Sequence, residues 1–341
     1  MTLPASIARK TRRQAPQQVA PVEKPAPVSE HALIKHVKIG DNFSGVYYVE
    51  LVHIKTARNG NKYTDFTLRD KSGSAFVKYW GVVDDAIKGC FVHISAEGEE
   101  YMDKLQIVAQ EVADIATPKD LSNYVPKSPT LADDADVINT YRKSSNLTCT
   151  LILERVFGDA DDRAVFAKAP CSILPHYGVE GGLLAHTVKV LRIAERLGIL
   201  YDLCPDDTSI LLTAALLHRV GAVRAFDFVD CAPVETKHGK LLGVEYLSGE
   251  SVAEAIRKAR GSNGFCGETA LRILHAVNAC TKRYIKPMTL EAILLSEAYY
   301  TDLSMVGAMD FMENDQNTDE EFTAYDPVQK RQYYRGSIIR W

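Results

Sequence analysis

Between about His36 and Ile115, apolar and polar positions alternate with a period of two in five runs: FSGVYYVELVHIKTA, KYTDFTLRD, SAFVKYWGV, CFVHISAEG and KLQIVAQEV. Turn signals such as Asn59-Gly60-Asn61 and Lys71-Ser72-Gly73 separate the runs, so the pattern predicts five β-strands. A polar helix candidate, VVDDAIKG, falls between the third and fourth runs, where a five-stranded OB-type barrel carries its helix. Prolines then punctuate Thr117 to Pro129, and beyond them the period changes to 3.6. Apolar residues recur at helical spacing over Leu131 to Lys143, Leu183 to Leu197, Ser209 to His218, Ser251 to Lys258, Thr269 to Ala279 and Leu290 to Asp302. The predicted fold class is α+β with two domains, an N-terminal five-stranded OB-type β-barrel followed by an all-α helical domain. The expected boundaries are a basic arm at 1–35, the barrel at 36–116, a linker at 117–130, the helices at 131–312 and a C-terminal tail at 313–341.

A chain of 341 residues has room for two ordinary cores. It contains no run of eighteen or more apolar residues and no apolar secretory stretch at its start, so a cytoplasmic protein without a membrane partner is expected. Seven scattered cysteines without a C-x-x-C pair argue against a disulfide framework and a thiolate zinc site. The net charge of -4 gives no whole-chain attraction to nucleic acid, and any such case must be local. Arg9, Lys10, Arg12 and Arg13 precede the first acid, Glu23, and mark a disordered basic arm, read as a solvated tail ahead of a nucleic-acid contact. The tail passes from acidic residues to a basic aromatic end, KRQYYRGSIIRW.

The local case lies in the strands. From Glu50 to Trp80 the cations Lys55, Arg58, Lys62, Arg69, Lys71 and Lys78 outnumber the acids Glu50, Asp65 and Asp70. Alternation places Ala75, Val77 and Tyr79 on one face of the third strand and Phe76, Lys78 and Trp80 on the other. With the second face outward, rings and an ammonium would lie together, as a single-strand binding surface requires. Alternation alone also permits Phe76 and Trp80 to fill the barrel core. The excess of cations favours the outward reading, with Tyr63 and Tyr101 as further stacking candidates.

PCSILPHYGVEGGLLAHTVKVLRIAERL (170–197), LLTAALLHRVGAV (211–223) and KHGKLLGVEY (237–246) resemble the HD phosphohydrolase domain of YhaM-type 3′-to-5′ exoribonucleases and their bacteriophage relatives. LRDKSGSAFVKYW and Leu105 to Ile107 resemble the strands that precede that domain. The similarity spans roughly Asp41 to Asp326, and Gly181 to Thr187 is its most specific run. The resemblance implies an HD-like helical domain, self-association and, in active members, imidazoles and carboxylates converging on divalent metal. His186 matches the family's first ligand and His218 the histidine of the His-Asp pair, but Arg219 stands at the aspartate position. Val244, Cys280, Thr281 and Tyr299 fall at or near further ligand positions, with Asp302 one turn beyond Tyr299. A guanidinium repels a cation, so the expectation is a pseudoenzyme with no catalytic residue, metal or cofactor. His186 and His218 are read first as satisfied core residues with Arg219 paired to a carboxylate. The sharper alternative is that these three, with Lys237 or Lys240 nearby, hold a phosphate. No P-loop, G-x-S-x-G or H-E-x-x-H motif offers a rival site.

These readings lead to the expectation of a non-catalytic single-stranded nucleic-acid binder. DNA is favoured over RNA, and RNA polymerase or replication proteins are candidate partners. The surface would comprise Lys55, Arg58, Lys62, Tyr63, Arg69, Phe76, Lys78, Trp80 and Tyr101. The alternative is a metal-dependent 3′-to-5′ exonuclease of the HD superfamily.

Overall fold

The structure, a computed structural model, describes residues 32–336 except 102–103, 131–133, 135, 144–145, 175 and 316–320. The basic cluster at Arg9 to Arg13 and the last residues of the basic aromatic end lie outside the described residues.

Five strands, β1 (Asn42–Thr56), β2 (Lys62–Asp70), β3 (Gly73–Tyr79), β4 (Phe91–Tyr101) and β5 (Lys104–Ile115), close a barrel in the order β1-β2-β3-β5-β4. All pairs are antiparallel except β3 with β5. Closure removes every exposed sheet edge and leaves one face of each strand inward. Tyr47, Val49, Phe66, Leu68, Val77, Val92 and Ile94 fill the interior. The buried Asp70 carboxylate accepts from the Ile34 amide at 2.7 Å, and the Tyr47 hydroxyl donates to the Ala32 carbonyl at 2.6 Å, so the segment before β1 is tied to the barrel. Gly98 lets that segment approach, because a Cβ there would lie 2.2 Å from the Lys38 carbonyl oxygen. VVDDAIKG forms only a short 3₁₀ turn, Asp85–Ile87. It holds one buried apolar residue, Ile87, too little to fix a longer helix against the barrel.

The remainder is helical: α1 (Val137–Tyr141), α2 (Leu147–Phe157), α3 (Ala160–Lys168), α4 (Gly182–Leu200), α5 (Pro205–Leu217), α6 (Ala222–Ala225), α7 (Lys237–Ala259), α8 (Gly267–Ala279) and α9 (Leu290–Asn314). A hairpin, β6 (Phe226–Val229) and β7 (Ala232–Glu235), interrupts them. Helices α2 and α3 lie where no helical run is predicted. In α2 the Asn146 side chain caps the first turn, accepting from the Thr148 and Cys149 amides, while Ile152, Leu153 and Phe157 turn into the core. Helix α4 runs through the middle of the domain, burying Leu183, Leu184, Val188, Val190 and Leu191. The proline-punctuated segment is packed as well as irregular: Tyr124 stacks edge-on against Phe91, and with Cys231 of the hairpin loop it covers Val46 and Tyr48 on the barrel. Among the described residues no helix is long and apolar enough to cross a membrane.

Candidate nucleic-acid interface and HD centre

On β3, Val77 points inward and Phe76 (77% exposed) and Trp80 (61% exposed) point outward, so the strand turns its aromatic face to solvent. The pairing of Thr64 with Tyr79 sets Tyr63 across from Trp80, and their ring centroids lie 5.3 Å apart. The Lys78 ammonium sits 5.2 Å from the Trp80 ring, 5.3 Å from Tyr63 and 5.8 Å from Tyr101, and donates to Gln106 Oε1 at 3.3 Å. Three rings around one cation form a platform on which bases can stack while the charge meets a phosphate. Lys55 lies beside it, bridged to Asp65 at 2.8 Å, and Arg58 and Lys62 are exposed at the β1-β2 turn. Arg69 does not belong to this surface. It is 7% exposed and its guanidinium pairs with Glu50 at 2.5 Å, because its position in β2 turns it away from the open face. Phe76 stands apart from the ring cluster, at the rim of a cleft of about 980 Å³ whose far wall includes Ile173, Val179 and Phe311.

The second cluster forms where three helices and one loop meet. His186 lies in the first turns of α4, His218 caps the end of α5 with Arg219 following it, and Tyr299 and Asp302 come from α9. Tyr177 and Cys171 come from the loop before α4. Gly181, with φ of 81°, opens that helix, and a Cβ on Gly182 would strike the Tyr177 carbonyl oxygen at 2.2 Å, so the two glycines let the loop fold tightly onto α4. Asp302 Oδ2 accepts from the Tyr177 hydroxyl at 2.6 Å and from His186 Nδ1 at 2.7 Å. His218 Nδ1 donates to the Ala215 carbonyl at 2.7 Å. With both Nδ1 atoms donating, the lone pairs of both Nε2 atoms face each other at 3.1 Å. Tyr299 lies over both rings, 5.6 Å from His186 and 5.9 Å from His218.

Burial lowers the pKa of His186, against the pull of Asp302, and holds that of His218 well below the usual value, with His186 adding to the effect. Burial likewise pushes the Tyr299 hydroxyl up to about 12. For Arg219 burial opposes the charge, but Cys171, Tyr299 and Glu245 outweigh it and the guanidinium stays protonated. Its Nη2 donates to the Cys171 carbonyl at 3.1 Å and its Nη1 to the Tyr299 hydroxyl at 3.4 Å. No carboxylate among the described residues forms an ion pair with it, so the expected pairing of Arg219 to a carboxylate is corrected. Among the described residues the helices around it present no acid at bonding distance. Lys237 and Lys240 are exposed on α7, and Glu297 is drawn away to Lys282.

Asp302 is the member that the candidate residues leave out, although the spacing noted its place one turn beyond Tyr299. The i, i+3 step on α9 brings both onto the face that meets α4. Tyr177 and Cys171 carry no sequence signal, since the loop brings them in only through its fold. Val244 and Cys280 are buried apolar positions. This donor set does not fit a hard divalent ion, which needs several oxygen ligands. The one carboxylate is occupied by Tyr177 and His186, a guanidinium shares the pocket, and among the described residues no group of three or more His, Cys, Asp or Glu side chains could hold a metal.

The family described as HD domain matches residues 183–303, the span that carries His186, His218, Arg219, Tyr299 and Asp302. A protein named 3′-5′ exoribonuclease YhaM from Halalkalibacterium halodurans is 24% identical over 262 residues, covering 72% of this chain and 77% of that protein. The chain thus carries a match to the HD domain and is similar to YhaM proteins over 72% of its length. Like-named proteins of Shouchella clausii and Listeria innocua are 25% and 27% identical, over 72% and 65% of the chain and 76% and 71% of their own lengths. The second OB-fold domain of replication protein A from Methanococcus maripaludis aligns with 27% of the chain and the whole of that domain, at 15% identity and a TM-score of 0.21. That likeness is too slight to carry an argument. The YhaM matches overturn the expectation of a non-catalytic pseudoenzyme that binds single-stranded DNA, because the proteins similar to this HD chain are named as RNA-degrading enzymes. The expectation weighed Arg219 against catalysis from one aligned position. It gave too little weight to Asp302, which supplies the centre with a carboxylate.

Proposed function

We propose that this chain is a 3′-to-5′ exoribonuclease that holds single-stranded RNA on the barrel and works on its 3′ end at the HD centre. The observation that carries the reading is the match to proteins of that name over 262 residues, a length exceeding the helical span 137–314 and so extending past it. The outward cluster of Tyr63, Lys78, Trp80 and Tyr101 supports it with a stacking surface that accepts any base. Lys55, Arg58 and Lys62 line the same side and draw the backbone phosphates. At the HD centre His186, oriented by Asp302, and His218, oriented by the Ala215 carbonyl, are the groups able to accept and pass a proton. Tyr177 packs against His186 and Tyr299 against both imidazoles, so substrate reaches them once those rings move aside. The cytoplasm is the proposed setting.

The test is incubation of 5′-labelled single-stranded RNA with the full chain, once in manganese and once in EDTA, beside a matched DNA. The expected result is a ladder shortening from the 3′ end on RNA, abolished by His186→Ala and by Asp302→Asn and slowed by Trp80→Ala. RNA that stays intact in both buffers, or a His186→Ala variant that cuts like the unmodified chain, refutes the proposal.

A further inference from the structure

Among the described residues the guanidinium of Arg219 has no ion-pair partner. Its terminal nitrogens donate to a carbonyl and a phenol, both neutral, while Nε is buried without any partner. Glu245 acts on it through space without an ion pair among the described residues, and Asp302 is turned to His186 and Tyr177. The Nε–H is therefore left for something else. A buried charge is costly unless an opposite charge meets it, and a planar fork with free N–H groups matches the oxygens of a phosphate. The residue as a whole is only half-buried. It follows His218 directly, on the rim of the same cluster that offers a divalent ion no adequate oxygen donors.

We propose that Arg219 binds a nucleotide phosphate directly, its guanidinium supplying at this centre the positive charge that a metal would otherwise bring. The proposal rests on the RNA-processing reading for the identity of the nucleotide. The phosphate belongs either to the terminal residue of a bound strand or to a released nucleoside monophosphate, and both present the same dianionic or monoanionic oxygens to the fork. Cys171 and Tyr299 hold the guanidinium in place from behind, which spares the ligand the cost of ordering a long side chain.

The experiment is calorimetric titration of the full chain in EDTA with adenosine monophosphate, inorganic phosphate and adenosine, and with a short single-stranded RNA. The two phosphates are expected to bind and adenosine not to bind. Arg219→Gln is expected to weaken adenosine monophosphate at least tenfold, and Arg219→Lys, which keeps the charge but not the fork, by less. A melting curve checks that each variant is folded, and Arg219→Lys carries the readout where Arg219→Gln does not fold. A loss confined to the RNA assigns the phosphate to the strand, and a loss shared with the mononucleotide assigns it to the product as well; both support the proposal. Equal affinities in the unmodified chain and Arg219→Gln overturn it, as does phosphate binding that begins only on adding manganese. Arg219-dependent binding in a chain that leaves RNA intact would uphold this site while sinking the exonuclease reading, and RNA shortening with no phosphate binding in EDTA would do the reverse.

Discussion

Trp80→Ala isolates the barrel's contribution to strand binding. The ring is 61% exposed and meets Tyr63 and the Lys78 ammonium on the outer face, so its removal opens no cavity and should leave stability nearly unchanged. Stacking of a base on an aromatic ring contributes about 1–3 kcal/mol, which converts to a loss of about 5- to 150-fold in affinity for a short single strand. The upper half of that range is expected, because removing the indole also takes away one wall of the pocket that orders Lys78. The chain has two tryptophans, Trp80 and Trp341, and a Trp341→Phe background leaves Trp80 as the sole indole. In that background, titration with RNA should quench its fluorescence as bases stack, and anisotropy of a labelled strand should give the affinities of both variants. An affinity that Trp80→Ala leaves within twofold, with no quenching in the parent, would show that the strand does not pass over this face.

Other perturbations test the scaffold. Arg272 donates to Glu291 at 2.8 and 2.9 Å and to Asp207 at 2.7 Å, so Arg272→Met strands a fully buried carboxylate and should cost about 3–5 kcal/mol in urea denaturation. Burial pushes the Glu291 carboxyl up, but the bonds from Arg272 outweigh it and hold the folded pKa below the usual value. Its stabilisation is therefore present above the unfolded pKa and is lost as pH falls through the lowered folded value; in Arg272→Met the acid-side loss should begin at higher pH. Gly182→Ala places a Cβ 2.2 Å from the Tyr177 carbonyl oxygen, and a loss of about 1–3 kcal/mol is expected, together with disturbance of the Tyr177 to Asp302 hydrogen bond; an unchanged denaturation midpoint would contradict this packing. Asn146→Ala removes the cap of α2 and should cost about 1 kcal/mol, read as a fall in melting temperature.

Periodicity along the chain determined the two kinds of domain, since alternation and the 3.6-residue repeat are properties of short stretches that hold before any packing. It also reduced β3 to two possible faces, and the cluster of residues around Gly181 to Thr187 identified the HD resemblance. Which face of β3 is buried was decided only when the barrel closed, because Val77 and Trp80 exchange roles if the same alternation is turned over. Arg69, a cation among cations in the sequence, is withdrawn by its pairing with Glu50, and that contact requires β1 and β2 to lie in register. The HD centre shows the same division. His186 and His218 stand out locally, but the carboxylate that orients the first lies 116 positions away on α9, and the tyrosine sharing it reaches back across 125. Contacts at such separation depend on how three helices cross. Local patterning names the elements and their apolar faces, whereas the meeting of side chains from distant elements is set by the shape of the packed core.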